Sequence, residues 1–251
     1  TPEDTARTAR QQLAAGWRYL RLAVMDRDGV LEPKVAVRDA VAHFAAAREA
    51  VGNAAELCID VHTRLDPPDA IRLGRELEPF DPFFIEDPLR CENPQTYRLL
   101  RQHVSSPLAV GEQYASKWDF RQMIEEELLD FARIDLCIVG GLTEARKIAN
   151  WCETHYIKII PHNPLGPVSA AACLHLDLAC DNFAVQEGGL VGHPVMEELF
   201  PVQVPFADGC LLPPERPGLG IEFDEKAAGA AEFRWVHGPR LHRADGSFTN
   251  W

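Results

Sequence analysis

Apolar residues recur along this chain with two alternating periods. Short apolar runs bounded by polar or turn residues predict strands, and longer segments with apolar residues three or four positions apart predict helices between them. Seven strands are predicted, at residues 19–24, 57–61, 83–86, 108–111, 131–135, 157–161 and 182–186. Seven helices alternate with them, at about residues 1–15, 35–51, 67–77, 93–103, 116–128, 142–155 and 169–179.

This alternation indicates parallel βαβ units, and so many of them favour an α/β fold of the (β/α)7β TIM-type barrel class over an open sheet. A closed barrel of this type needs eight strands, whereas the series begins with a helix. We therefore expect residues 1–190 to form a barrel domain with strands 2 to 8, its first strand being absent from this chain. The alternation stops after Gly188, and residues 191–251 are predicted to form an irregular tail that packs on the barrel.

Three acids, Asp60, Glu86 and Glu112, stand at equal intervals of 26 residues, each after an apolar run. A single carboxylate at a strand end is most often a helix cap or a solvated side chain. Three at the same phase of consecutive βα units instead predict oxygen ligands for one hard metal ion at the carboxyl ends of the strands.

Histidines accompany these acids. His62 lies two residues after Asp60, so the two side chains share a face if the strand continues, although a loop or helix-capping histidine is the alternative. Asp135 ends one predicted strand and His162 ends the next. Adjacent parallel strands lie about 5 Å apart, so the carboxylate can orient the imidazole as a general base. The alternative interpretation is that Asp135 and His162 form a purely structural hydrogen bond between neighbouring strands.

Other polar residues near the predicted strand ends are candidates for binding substrate. Glu187 closes the last strand and can bind hydroxyl groups, although a solvated strand end explains it nearly as well. Arg64 can hold an anionic substrate, while an exposed loop arginine is the default interpretation. Asn163 and His193 complete this candidate set.

Composition narrows the class of protein. The 251 residues are 46% hydrophobic, enough for a full core, and the net charge of −13 without a basic cluster argues against a nucleic-acid surface. Seven cysteines without a C-x-x-C pair are typical of buried thiols in a reducing compartment. No apolar stretch approaches 18 residues and no signal-peptide pattern is present, so we expect a cytoplasmic protein without membrane contact. The nucleotide-binding and serine-hydrolase signatures G-x-x-x-x-G-K, G-x-G-x-x-G and G-x-S-x-G are also missing.

Taken together, these residues resemble the barrel domain of the enolase superfamily, in its mandelate racemase-like branch. Within that branch the chain is most similar to sugar-acid dehydratases of the galactonate and mannonate type. The motifs that carry the resemblance are Asp60-Val61-His62, Phe84-Ile85-Glu86-Asp87-Pro88, Gly111-Glu112, Gly140-Gly141-Leu142-Thr143-Glu144, Pro161-His162-Asn163-Pro164, Gln186-Glu187 and Pro217-Gly218-Leu219-Gly220.

The resemblance implies that the first barrel strand follows a separate N-terminal α+β capping domain, absent from this chain. It implies Mg²⁺ as cofactor, bound by Asp60, Glu86 and Glu112. It also implies His62 and His162 as catalytic residues, with Asp135 orienting His162. Members of the family assemble into symmetric multimers, so a homo-oligomer is expected.

Two departures from the family pattern concern the predicted strand at 19–24 and the loop after it. Lysine-dependent racemases and cycloisomerases carry Lys-x-Lys there, whereas this chain has Arg21-Leu22-Ala23, which disfavours lysine chemistry. Mannonate-type enzymes use Arg and Tyr on a long loop after this strand. In this chain the corresponding loop, residues 24–34, is short and contains no Tyr. Either the chain is of the galactonate-like subtype, or loop residues are missing from it.

The function that the resemblance implies is a Mg²⁺-dependent dehydratase, a hydro-lyase acting on a small anionic sugar acid. His162 would remove the C2 proton to give a metal-stabilised enediolate, and His62 would protonate the departing C3 hydroxyl. The product is a 2-keto-3-deoxy acid. Two alternatives stay open: an acid-sugar epimerase or racemase of the same superfamily, and a low-activity regulatory protein of the starvation-sensing type that binds a sugar acid.

Overall fold

A computed structural model describes residues 1–188 and 197–249 of the chain. They fall into two compact units, one of Thr1–Val110 with Gly238–Trp251 and the other of Gly111–His237. These are the first unit and the second unit below.

The first unit alternates helices with parallel strands. In chain order its elements are α1 (Pro2–Ala14), β1 (Tyr19–Ala23), α2 (Pro33–Val51), β2 (Glu56–Asp60), α3 (Pro67–Leu77), a 3-10 turn (Glu78–Phe80), β3 (Phe84–Glu86), α4 (Thr96–Arg101) and β4 (Leu108–Val110). The strands lie side by side in the order β1, β2, β3, β4, and each neighbouring pair is parallel.

Local sequence explains where these helices begin and which face they bury. The Thr1 side chain accepts from the Asp4 N–H while the Asp4 carboxylate accepts in return, a capping box that, with Pro2 in the first turn, starts α1. Along α2 the buried residues recur every three or four positions, the spacing of a single helical face. That face carries Ala36, Val37, Ala40, Phe44, Ala47 and Val51.

The strands differ in burial. The residues of β3 and β4 are buried throughout, and β2 is buried except at its first residue. In β1, by contrast, exposed residues alternate with half-buried ones. Buried strands with apolar side chains on both faces are typical of parallel sheets that are covered by helices.

The second unit begins with the same alternation. Its elements are α5 (Lys117–Glu125), β5 (Phe131–Ala132), α6 (Leu136–Val139), α7 (Gly141–Glu153), β6 (Lys158–Ile159), α8 (Pro167–Leu178), β7 (Phe206–Ala207), β8 (Cys210–Leu211) and α9 (Glu225–Ala230). Strands β5 and β6 pair in parallel.

Two elements of the second unit differ from prediction. The strand predicted at 182–186 is reduced to one parallel bridge between Ile159 and Phe183, in which the Ile159 N–H donates to the Asn182 carbonyl at 2.9 Å. The helix predicted from residue 142 is preceded by the extra turn α6. Gly140, at φ 106°, ends that turn in the left-handed region, which glycine adopts without a steric penalty.

The tail is less irregular than predicted. Strands β7 and β8 form a short antiparallel hairpin whose turn is Asp208-Gly209, both at positive φ. Asp-Gly is the pair that a type I′ hairpin turn favours, so the sequence did carry this signal. The boundary at residue 190 lies outside the described residues and stays a prediction. No helix in the described ranges has both the length and the apolarity that crossing a bilayer requires.

Candidate active site

Two of the three predicted metal ligands lie side by side in the first unit. Asp60 ends β2, Glu86 ends β3, and the strand register makes the two residues direct neighbours. Glu86 is fully buried and Asp60 is 9% exposed. Buried carboxylates are costly unless a positive charge or a metal ion neutralises them, so this pair needs a cation.

Arg21 supplies one positive charge to this pair. Its Nη1 lies 3.2 Å from Glu86 Oε2 and 3.6 Å from Asp60 Oδ2. Sequence reasoning considered this position only for the lysine that it lacks and missed the arginine as a site residue. The signal was available, because Arg21 is a charged residue in an apolar strand and lies two positions before Ala23, the register partner of Asp60.

His62 lies close to Asp60, as predicted, but for a different structural reason. The reasoning from a shared strand face is wrong, because β2 ends at Asp60 and His62 follows it in a left-handed turn, at φ 54°. Its Nδ1 nevertheless lies 3.7 Å from Asp60 Oδ2. Positive φ in consecutive non-glycine residues, here His62 and Thr63, is strained backbone of a kind that clusters at functional sites.

Arg64 is largely buried instead of lying exposed in a loop. Its side chain is 12% exposed and its Nη1 donates to the Val24 carbonyl at 2.5 Å. Asp26 lies at 4.0 Å from the same nitrogen. These contacts fasten the turn after β2 to the end of β1, and the predicted contact of Arg64 with substrate stays a prediction.

His162 lies between two carboxylates of the second unit. Its Nδ1 is 2.7 Å from Asp135 Oδ2, and its Nε2 is 3.4 Å from Glu112 Oε2. An ionised Asp135 can only accept, so the proton of the neutral ring belongs on Nδ1 and the lone pair on Nε2. The ring nitrogen that can take up a proton therefore faces Glu112.

Asp135 also serves as a helix cap. Its Oδ1 accepts from the Cys137 N–H at 2.7 Å and from the Ile138 N–H at 3.2 Å, at the start of α6. The structural and functional interpretations of this residue are therefore compatible. One carboxylate oxygen is fixed by the helix, and the other is held against the His162 ring.

Glu112 owes its position to a glycine. Gly111 lies at φ 130°, and a Cβ there would be 2.5 Å from Phe120 Cε1 and 3.3 Å from the Arg133 carbonyl oxygen. Only glycine fits this combination of backbone conformation and close approach. The backbone conformation that positions Glu112 therefore requires glycine at residue 111.

We expect Gly111→Ala to lower the free energy of unfolding of the full-length protein by about 2 to 4 kcal/mol, from backbone strain together with overpacking. The matched control is Gly52→Ala, which also has positive φ but has no atom within 4 Å of the added Cβ. Denaturant unfolding measures both. An equal cost for the two variants would show that crowding against Phe120 contributes nothing.

Glu187 is held in a buried ion pair. Arg133 Nη2 lies 2.6 Å from Glu187 Oε2, which also accepts from the Asn163 N–H at 2.8 Å. Arg133 is 1% exposed and was not predicted as a site residue. It lies two positions before Asp135, so strand alternation could have drawn attention to it. The predicted contact of Glu187 with substrate hydroxyls stays a prediction.

Asn163 has a polar atom that no protein group satisfies. The residue is 4% exposed, and its Oδ1 is buried without a hydrogen-bond partner among the described residues. Such an atom normally has a partner, which a ligand or water can provide. His193, also predicted to bind substrate, lies outside the described residues.

The donor set fits Mg²⁺. All three predicted ligands are carboxylates of low exposure, at 9% for Asp60, 0% for Glu86 and 5% for Glu112. Hard oxygen donors of this kind suit Mg²⁺ and disfavour softer metals that prefer sulfur.

The chain is similar to known proteins in sequence and in structure. Residues 4–227 match the family described as enolase C-terminal domain-like. A D-mannonate dehydratase of Caulobacter sp. is 36% identical over all of this chain and 68% of its own length. A D-galactonate dehydratase of Ralstonia pickettii is 35% identical over all of this chain and 68% of its own length.

A solved structure of an enolase from Pantoea ananatis, with bound D-gluconate and Mg, has a TM-score of 0.88 at 26% identity. It covers 99% of this chain, which covers 68% of that protein. The predicted TIM-type barrel class is confirmed by these matches. The chain spans about half to two thirds of the length of the curated relatives that it matches. That a first strand and a capping domain precede it stays a prediction.

Proposed function

Because the chain belongs to the enolase C-terminal domain-like family, we propose that it is the catalytic barrel of a Mg²⁺-dependent sugar-acid dehydratase, a hydro-lyase. The observation that carries the proposal is the position of His162, held by Asp135 on one ring nitrogen and facing Glu112 with the other. The mannonate and galactonate dehydratases among its relatives support the class of substrate.

Asp60, Glu86 and Glu112 would hold the Mg²⁺. When bound, the ion supplies positive charge where negative charge develops on the substrate carboxylate. The burial of all three carboxylates supports this assignment. Where water is excluded, the attraction between a carboxylate and a metal cation is stronger than in solvent.

His162 is the proposed base that removes the C2 proton. Asp135 accepts the hydrogen bond from Nδ1, which fixes the tautomer of the neutral ring and leaves the lone pair on Nε2. The capping bonds from α6 hold the Asp135 carboxylate in place, so the ring does not have to be oriented during the reaction. A positioned base of this kind contributes about 10²- to 10⁴-fold to the rate.

His62 is the proposed acid that protonates the departing C3 hydroxyl. Its side chain is 30% exposed, and its Nδ1 lies 3.7 Å from Asp60 Oδ2, beside the proposed metal ligands. Loss of water leaves an enol, which tautomerises to a 2-keto-3-deoxy acid. Arg64, Asn163, Glu187 and His193 are proposed to bind the carboxylate and hydroxyl groups of the sugar acid.

We also propose a cytoplasmic homo-oligomer. Its seven cysteines all lie in described parts of the chain and none of them forms a disulfide; Cys58, Cys152 and Cys173 are buried and the other four are not. Burial raises the pKa of Cys152 to about 12, so this thiol is protonated at neutral pH and inert.

The proposal is tested by incubating the full-length protein with a panel of hexonates and pentonates, with Mg²⁺ or with a chelator, and assaying 2-keto-3-deoxy acid. We expect one or a few members of the panel to be converted, and only with metal present. An altered C2 configuration without loss of water would indicate an epimerase instead. Tight binding of a sugar acid without any chemical change would indicate a regulatory protein.

A further inference from the structure

One buried arginine binds the main chain immediately before His162. Arg133 Nη1 donates to the Ile160 carbonyl at 3.0 Å and to the Pro161 carbonyl at 3.3 Å. Its Nη2 lies 2.6 Å from Glu187 Oε2, and the residue is 1% exposed. Because a guanidinium holds its donors in a rigid planar fork, these contacts fix the two carbonyl groups and the carboxylate relative to one another.

The acidic member of this ion pair binds the residue that follows His162. Glu187 Oε2 accepts from the Asn163 N–H at 2.8 Å, and the Glu187 carbonyl accepts from Asn163 Nδ2 at 3.3 Å. Strand β6 has ended before this segment, at Ile159. The pair of Arg133 and Glu187 therefore contacts the main chain on both sides of His162, beyond the end of the strand.

The same stretch of chain holds both the ring and the main chain of His162. The His162 N–H donates to the Ile134 carbonyl at 3.0 Å, which continues the pairing of β5 with β6 beyond the ends of both strands. Arg133 and Asp135 flank Ile134, and residues two apart share a face of an extended chain. Asp135 binds the ring through Nδ1 at 2.7 Å, while Arg133 binds the carbonyl groups before it. The position of the ring relative to Asp135 thus depends on both residues.

We propose that Arg133 is a positioning residue for the base, keeping the His162 ring against Asp135 through its own main-chain contacts and through Glu187. The inference rests on the proposed function, because it takes His162 as the base. Misplacing a catalytic group by about 1 Å lowers a rate by about 10²-fold, so fixing the main chain of His162 has a direct consequence for catalysis. A purely structural ion pair would affect stability alone.

The first measurement needs no substrate. The ¹⁵N chemical shifts of a histidine ring distinguish protonated from unprotonated nitrogens, and the signals of His162 in the full-length protein are identified by their loss in His162→Asn. At a pH where the ring is neutral, we expect the proton on Nδ1 in the wild type, because Asp135 accepts from that nitrogen. Arg133→Lys keeps the charge and loses the planar fork, and we expect it to give a mixture of both tautomers.

Steady-state kinetics with the converted sugar acid supply the second measurement. We expect Arg133→Lys to lower kcat by about 10- to 10²-fold and to leave KM within about threefold, since the base is displaced while the substrate contacts remain. Combining it with His162→Asn should cost little more than His162→Asn alone, because both changes act through one group. A raised KM with unchanged kcat would instead place Arg133 in substrate binding and would overturn the inference.

Arg48→Lys is the matched control. In the first unit, Arg48 also donates to main-chain carbonyl groups, those of Gly52, Ala55, Phe80 and Asp81. We expect this control to lower the melting temperature while the His162 tautomer and kcat stay as in the wild type. If Arg133→Lys gives the same result as Arg48→Lys, the arginine is purely structural and the inference is wrong.

Glu187→Gln is the second variant, used if Arg133→Lys does not fold. It keeps an acceptor for the Asn163 N–H and removes the charge paired with Arg133, so we expect the same mixture of His162 tautomers. A single tautomer protonated on Nδ1 in folded Glu187→Gln would overturn the inference. Failure of both variants to fold would overturn it too, because the ion pair would then act on the fold as a whole.

The tautomer separates failure of this inference from failure of the proposed function. If Arg133→Lys gives mixed tautomers while the wild type converts no sugar acid, the positioning of His162 is confirmed and the proposed function is wrong. Mixed tautomers with an unchanged kcat would show that His162 is not the base. If the wild type converts a sugar acid and the tautomer is unchanged in Arg133→Lys, the inference is wrong while the proposed function stands.

Discussion

Replacing His162 with Asn in the full-length protein abolishes exchange of the substrate C2 hydrogen with solvent and lowers dehydration by about 10²- to 10⁴-fold. The reason is that Nε2 is the proposed proton acceptor, and an amide cannot take its place. Exchange is measured by NMR in D₂O and dehydration by the 2-keto-3-deoxy acid assay.

Asp135→Asn is the matched variant. Asparagine caps a helix as well as aspartate does, so α6 and the stability of the protein are preserved. An amide no longer secures the required tautomer of His162, and we expect a rate loss of about 10²- to 10⁴-fold, with little further loss in the double variant. Should exchange persist in His162→Asn while dehydration is lost, the roles of His62 and His162 are reversed. An Asp135→Asn variant that folds and dehydrates the substrate as fast as the wild type would contradict the orienting role of Asp135.

Replacing Asp177 with Asn makes the protein more stable, and the gain increases with pH. Asp177 lies in the last turn of α8, is 6% exposed, and neither of its carboxylate oxygens has a hydrogen-bond partner among the described residues. Burial raises its pKa from 3.8 to about 8. The carboxyl ends of helix dipoles also disfavour negative charge. The folded protein therefore keeps this group protonated at neutral pH.

The direction of the pH dependence follows from the two pKa values. Below pH 3.8 the group is protonated in both the folded and the unfolded state, and the raised pKa costs nothing. As pH rises from there to about 8, the unfolded chain loses the proton while the folded protein retains it, so stability falls, and above about 8 the cost is constant.

The expected change is large enough to measure. The stability difference between Asp177→Asn and the wild type should grow by about 3 kcal/mol between pH 5.5 and pH 8.5, because it increases by about 1.4 kcal/mol for each pH unit until the folded-state pKa is reached. Denaturant unfolding of the full-length protein at several pH values measures it. Asp181→Asn, at an exposed position shortly after α8, is the control and should show no such growth. A constant difference for Asp177→Asn would mean that this carboxyl is ionised in the folded protein.

The sequence predicted those parts of the site that depend on position along a strand. Asp60 and Glu86 end β2 and β3, as their spacing indicated, and the register then makes them neighbours. His162 and Asp135 were paired by the same reasoning, and the structure places them 2.7 Å apart. The βα repeat thus converts regular spacing in sequence into proximity in space.

Other parts depend on features that spacing does not encode. The left-handed turn at His62 comes from local backbone conformation after the strand has ended. The ion pairs of Arg21 with Glu86 and of Arg133 with Glu187 join residues far apart in sequence, and their geometry depends on how long side chains pack. The burial of Asp177 also escaped notice, because one acid within an apolar helix does not show whether its face meets water or protein.

The most direct test of the proposed chemistry is NMR analysis of the full-length protein with Mg²⁺ and its best sugar acid in D₂O. We expect loss of the C3 hydroxyl and a 2-keto-3-deoxy product with one solvent deuterium at C3, formed only when metal is present. Recovery of the sugar acid with deuterium at C2 and all its hydroxyls retained, or no change in any member of the panel, would contradict it.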